Sequence, residues 1–137
     1  MLNACYFALP LFLCLPAAEA ATLNVTLDGA RAGGGPLTVL LFDRADGFPK
    51  EARAARRHVL PAGQATLALD DLKPGQYAVM AYHDEDGNGE LNRFLGMIPQ
   101  EGWGLSNNPQ VSGKPAFKDA AVTVPESGAS LNLKLNY

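Results

Sequence analysis

Period-two alternation of apolar side chains, cut into short runs by turn residues, restricts the fold of this chain more than any other feature. "TLNVTLDG" (22–29) puts Leu23, Val25 and Leu27 on one face. "QATLALDDL" (64–72) does the same with Ala65, Leu67 and Leu69, and "SLNLKLNY" (130–137) with Leu131, Leu133 and Leu135. "PLTVLLFD" (36–43) is nearly all apolar, as a central strand is, and "GQYAVMAYH" (75–83) follows the Pro74-Gly75 turn signal. "DAAVTVP" (119–125) supplies one more short run. Helical periodicity cannot be fitted to such runs. Their spacing between Gly, Pro and Asp clusters predicts an all-β sandwich of about seven strands. Leu23, Val25, Leu37, Val39, Leu67, Leu69, Tyr77, Val79, Val122, Val124, Leu131 and Leu133 are the expected core.

Two segments interrupt the pattern. "GFPKEARAARRHVL" (47–60) favours a short helical turn leading into a strand over Arg57–Leu60. Its Arg53, Arg56 and Arg57 read as a solvated face, because three arginines make a small field in a slightly acidic domain. The stretch from Asp84 to about Lys118 is the longest irregular one. It carries Phe94, Leu95, Met97, Ile98, Trp103 and Leu105, too apolar for disorder, and is expected to fold over one end of the sandwich as a long structured loop.

The first twenty residues, "MLNACYFALPLFLCLPAAEA", are apolar from about Tyr6 to Ala17 and end in Ala18-Glu19-Ala20. A short apolar run before a small-x-small site is the pattern of a secretory signal peptide. It is shorter than the roughly 20 apolar residues that span a bilayer. The expected organisation is a leader over 1–20 and a single domain over 21–137, periplasmic or secreted. Both cysteines, Cys5 and Cys14, fall in the leader, so the domain uses no disulfide, thiolate metal site or cysteine nucleophile. The chain carries a net charge of −3, and loss of Glu19 makes the remainder one unit less negative. That balance argues against nucleic acid as a partner.

"HDEDGNGELN" (83–92) carries the chemistry. Numbered from Asp84, the loop places Asp84, Asp86 and Asn88 at positions one, three and five, all with side-chain oxygens. Gly89 falls where the backbone must turn, Glu90 where only a carbonyl is needed, and Asn92 at position nine. This is the ligand spacing of a calcium loop. Two features depart from a helix–loop–helix site: the segment entering the loop is a strand, and position twelve is Leu95 instead of a bidentate carboxylate. A remote carboxylate is therefore expected to complete the shell, Glu101 first and Asp119 next. The competing reading is an Asp/Asn/Gly-rich turn that satisfies its own backbone.

Other residues point away from catalysis. His83 and His58 have no evident nucleophile partner, and Ser106, Ser112, Ser127 and Ser130 lack a G-x-S-x-G elbow. His83 reads as a strand-end histidine bonded to the loop, and Trp103 as a plug over the core.

"LKPGQYAVMAYHDEDGNGELNRFLGMIPQEGWGLSNNP", followed by "GKPAFKDAAVTV", resembles the small exported bacterial proteins called domain of unknown function 2141. The resemblance runs from about Leu72 to Val124. It falls on Pro74-Gly75-Gln76-Tyr77, on His83 to Gly89, on Glu101 to Asn108 and on Pro115 to Ala120; Leu105 stands where that family commonly has an aromatic. The strands leading in also resemble those of transthyretin-like and immunoglobulin-like sandwiches. The resemblance implies export and a sandwich fold but no activity. The expectation is an exported, non-enzymatic module with a weak structural calcium site, serving an unidentified protein or envelope partner. A metal-free envelope module and a carboxylate-based hydrolase are the alternatives.

Overall fold

The computed structural model describes residues 8–13, 20–31, 34–91, 93–94, 98–99, 101–110 and 113–137. The sequence-based expectations for Asn92, Leu95, Met97 and the rest of the leader lie outside these residues. Two sheets face each other. The first has the order β10–β1–β4, from Ala129–Lys134, Ala21–Asp28 and Thr66–Leu72. The second runs β3–β2–β5–β8, from Arg56–Leu60, Leu37–Phe42, Gly75–His83 and Trp103–Leu105, with β9 (Val122–Val124) also on β5. A two-residue ribbon, β6 (Arg93–Phe94) with β7 (Ile98–Pro99), lies within the long loop. The fold is therefore the expected all-β sandwich. Strand count differs: the stretch read as irregular supplies β6, β7 and β8.

The core follows the alternation. Leu23, Val25, Leu37, Val39, Leu69, Tyr77, Val79, Val124 and Leu133 are buried, while Leu67, Val122 and Leu131 pack against them partly covered. β1 and β10 pair in parallel, Val25 opposite Leu131 and Leu27 opposite Leu133. β4 pairs antiparallel on the other edge of β1. A leucine stripe on each strand thus faces the second sheet.

β5 is buried on both faces, which explains its nearly continuous apolar sequence. Its Tyr77, Val79 and Ala81 face the inter-sheet core. Ala78, Met80 and Tyr82 join Leu40 and Phe42 in a second cluster on the outer side of the same sheet. That cluster is roofed by Phe48, Leu91, Leu105 and Ala120, with Trp103 and Phe117 partly buried. The long loop therefore covers a face of this sheet, and not the end of the sandwich expected from its sequence. Phe48 anchors the 43–55 segment by edge-on contacts with Phe42 and Phe117, at 4.9 and 5.8 Å between centroids. The expected helical turn is a single 3-10 turn, Glu51–Arg53, and it does lead into β3.

One edge of β5 is shared. Gly75–Tyr77 pair with β9 and Met80–Tyr82 with β8, which leaves a gap in the ladder at Val79. Fully buried Ser106 fills it. The Val79 N–H donates to Ser106 Oγ at 2.9 Å, Ser106 N–H donates to the Val79 carbonyl at 2.8 Å, and the hydroxyl donates onward to the Ala120 carbonyl. The following Asn108 ties the two sheets: its Oδ1 accepts Lys134 N–H at 2.8 Å and its Nδ2 donates to the Asn132 carbonyl at 3.1 Å. The Ser-Asn-Asn stretch thus supplies with side chains the hydrogen bonds that the interrupted strands lack.

Candidate functional site

Strand register builds the site. β5 and β8 run antiparallel with Tyr82 opposite Trp103. One step outward, His83 N–H donates to the Gly102 carbonyl at 2.7 Å. The next step sets Asp84 across from Glu101, two carboxylates facing each other where like charges disfavour pairing. Asp86 comes round from the loop. One carboxylate oxygen from each of Asp84, Asp86 and Glu101 lies within 4.8 Å of the others. Asp84 is 3 % exposed and Glu101 5 %, whereas Asp86 is exposed.

The loop between them is shaped by its own side chains. Asp84 Oδ2 accepts Gly89 N–H at 2.8 Å, closing the turn over five residues. Asp86 Oδ1 accepts Asn88 N–H at 3.1 Å, and Asn88 Oδ1 accepts Glu90 N–H at 2.8 Å. Gly89 adopts φ 79°, the left-handed region where a Cβ is disfavoured. Asp84 Oδ1 is different: it is buried and has no hydrogen-bond partner among the described residues. A buried carboxylate oxygen left unsatisfied is costly, so native structures rarely contain one without an ion or water to match.

The wall behind the cluster is backbone. Asp84 N–H donates to the Pro36 carbonyl at 2.9 Å. A Cβ on Gly35 would sit 2.1 Å from the Asp84 carbonyl, and one on Gly34 would sit 2.1 Å from the His83 ring. The glycine run before β2 therefore permits close approach by the strand end that carries Asp84. Both nitrogens of His83 are committed, Nδ1 to the Tyr137 hydroxyl at 2.8 Å and Nε2 to the Gly35 carbonyl at 3.1 Å. Because a carbonyl only accepts, Nε2 carries the hydrogen, and Nδ1 pairs with the Tyr137 hydroxyl. His83 is thus a bonded strand-end residue, but its ring partners are Tyr137 and Gly35 and not the loop as expected, and it braces the site without offering a ligand atom. Tyr137 is held in turn by Arg31, whose N–H donates to the hydroxyl at 2.9 Å and whose guanidinium lies 3.9 Å from the ring centroid.

Of the residues predicted from spacing, Asp84 and Asp86 meet at the cluster, and Glu101 is the remote carboxylate that joins them. Asn88 and Glu90 stand on the exposed limb of the loop, bonded to each other through Asn88 Oδ1 and Glu90 N. Asn92 lies outside the described residues. Asp119, the second choice for a remote ligand, is engaged elsewhere. Its Oδ2 accepts Ala116 N–H at 3.2 Å at the start of the one-turn helix α1 (Phe117–Ala120). Sequence reasoning missed Arg57 and Tyr82, which both donate to the Gly89 carbonyl, at 2.7 and 3.1 Å. No motif joins Arg57 to a loop 32 residues on, and Tyr82 reads in sequence only as an apolar position of its strand.

A family profile described as an uncharacterized protein conserved in bacteria, DUF2141, matches residues 25–132. No curated protein and no solved structure matches the chain.

Proposed function

The chain belongs to that bacterial family, and on the geometry of the carboxylate cluster we propose that it is an exported, non-enzymatic sandwich module. In this reading it holds a structural calcium ion between Asp84, Asp86 and Glu101. The observation that carries the reading is Asp84: its Oδ1 is buried without a hydrogen-bond partner among the described residues, and its carboxylate lies within 4.8 Å of two others. An oxygen-only donor set suits a hard cation. Several carboxylates on a flexible loop suit calcium better than magnesium, which demands a tight octahedron and keeps most of its water. The commitment of both His83 nitrogens argues against a transition-metal centre and against a histidine base. Fixing the loop over the outer sheet face would present a stable surface to a protein or envelope partner.

The test is calorimetric titration of chelator-treated protein with calcium and with magnesium. A dissociation constant of about 10⁻⁴ to 10⁻³ M for calcium is expected, since no bidentate carboxylate stands at Leu95. Magnesium should bind more weakly. No heat from either ion, and no terbium luminescence from the loop, would leave only a self-satisfied turn.

Export is supported by contrast at residue 20. Leu9, Leu11, Phe12 and Leu13 are 73–91 % exposed, so these apolar side chains take no part in the core. Ala21, the first residue of β1, is 1 % exposed. A leader removed after Ala20 would leave the sandwich whole. Intact-mass analysis of the protein from its native host should give a chain beginning at Ala21. Retention of Met1 would exclude cleavage.

A further inference from the structure

We propose that Arg57, together with Tyr82 and Glu51, is the positioning group of the cation site. The proposal rests on the calcium reading above and says what holds that site in shape. Arg57 lies on the outer strand of its sheet, with its side chain 42 % exposed, and in sequence it reads as part of a solvated basic face. Its guanidinium is engaged twice. Nη2 donates to the Gly89 carbonyl at 2.7 Å and Nη1 to Glu51 Oε2 at 3.2 Å. The buried Tyr82 hydroxyl reaches the same two acceptors, Gly89 O at 3.1 Å and Glu51 Oε2 at 3.3 Å.

The Gly89 peptide transmits this grip. Its carbonyl is held from one side by Arg57 and Tyr82. Its N–H, on the preceding plane of the same residue, donates to Asp84 Oδ2 at 2.8 Å. With Oδ2 so engaged, the unpartnered Oδ1 is the Asp84 oxygen left to serve a cation among the three carboxylates. The chain of contact runs from β3 through Gly89 to the carboxylate, and neither Arg57, Tyr82 nor Glu51 is itself a ligand. Groups that orient ligands in this way commonly alter metal affinity 10–100-fold when removed.

Arg57 is also a cation beside a cation site, and this makes its test decisive. As a charge alone it repels calcium, so its removal would tighten binding. As a positioning group its removal would weaken binding. The two roles predict opposite signs.

The experiment is calcium calorimetry on the wild-type domain, Arg57→Ala, Tyr82→Phe and the control Arg44→Ala, with each melt recorded in chelator. Arg44→Ala removes an equal charge from an exposed pair with Asp43. Arg57→Ala is expected to weaken calcium about tenfold, the low end of the range for such groups. Tyr82→Phe, which changes no charge, should weaken it less but in the same direction. Arg44→Ala should bind as wild type or slightly tighter. A merely structural role would lower the chelated melting temperature and leave the affinity of the folded protein alone. Wild-type or tighter binding by Arg57→Ala overturns the positioning role while the calcium site stands. If the wild type itself takes up no calcium, the site reading falls and this role with it. Should Arg57→Ala fail to fold, Tyr82→Phe decides: unchanged affinity overturns the proposal.

Discussion

Calcium at about 1 mM is expected to raise the melting temperature of the wild-type domain by a few degrees, and Asp84→Asn to abolish the rise without weakening the chelated protein. Linkage sets the first part. A ligand that binds only the folded state at ten times its dissociation constant adds roughly 1.4 kcal/mol. At about 4 °C per kcal/mol for a domain of this size, the shift is about 6 °C at the tighter end of the affinity range and smaller at the weaker end. The second part follows from charge. Two unit charges at 4.8 Å, the outer limit for the nearest oxygens of this cluster, repel by about 1 kcal/mol in water and about 3.5 kcal/mol at an effective dielectric of 20. Asp84 and Glu101 are both buried, so their repulsion lies toward the upper figure; Asp86 is exposed and contributes toward the lower. Asparagine keeps an oxygen to accept the Gly89 N–H and removes one of the three charges. In chelator, Asp84→Asn should therefore melt at or above wild type, by up to about 1 kcal/mol after the cost of burying its amide. Paired melts of both proteins, with chelator and with calcium, check this. A wild-type-sized calcium shift in Asp84→Asn would remove the buried oxygen from the site.

Why Glu101 can be anticipated at all is a matter of strand register. Spacing within "HDEDGNGELN" identifies Asp84 and Asp86, because the constraint on a metal loop is local. Glu101 is one of two acidic candidates in the sequence, and only the pairing of Tyr82 with Trp103 sets it across from Asp84. Such pairing is non-local, and a strand of three residues leaves almost no periodic signal. The same limit hides the parallel pairing of β1 with β10. Alternation tells which face of "SLNLKLNY" is buried but carries no strand direction. β5 shows the converse. Its unbroken apolar run is legible as a central strand, yet the second cluster on Met80 and Tyr82 is supplied by Phe48, Leu105 and Phe117 from segments with no pattern of their own. Arg57 reads in sequence as a solvated charge for a physical reason: its aliphatic stem and exposed guanidinium fit a surface face equally well. What distinguishes it is one carbonyl, on Gly89, reached only in the folded chain.

Gly104→Ala is the substitution expected to harm the fold most, and its cost comes from space alone. Gly104 sits in the middle of β8, where the strand crosses close to β10. A Cβ there would lie 2.1 Å from the Lys134 carbonyl oxygen and 2.7 Å from a methyl of Leu133. The carbonyl belongs to a strand that pairs with β1 and is tied again by Asn108, so it cannot yield as a flexible side chain can. Relief requires β8 to move away from β10. Overpacking of this kind costs about 1–3 kcal/mol and more where backbone must shift. A loss of about 3 kcal/mol or more, about 12 °C in melting temperature, is expected here. Gly63→Ala is the contrast. Gly63 has φ 89° but nothing within 4 Å of an added methyl, so only the left-handed backbone penalty of about 1–2 kcal/mol applies. Urea unfolding of the two variants separates steric exclusion from backbone preference. The displacement also reaches the cation site, because Glu101 lies just before the same strand, three residues ahead of Gly104. Where Gly104→Ala still folds, its calcium affinity should fall, while that of Gly63→Ala stays at the wild-type value. Equal stability of the two variants would mean that β8 is free to move, and that Glu101 is not held opposite Asp84 by the packing of the two sheets.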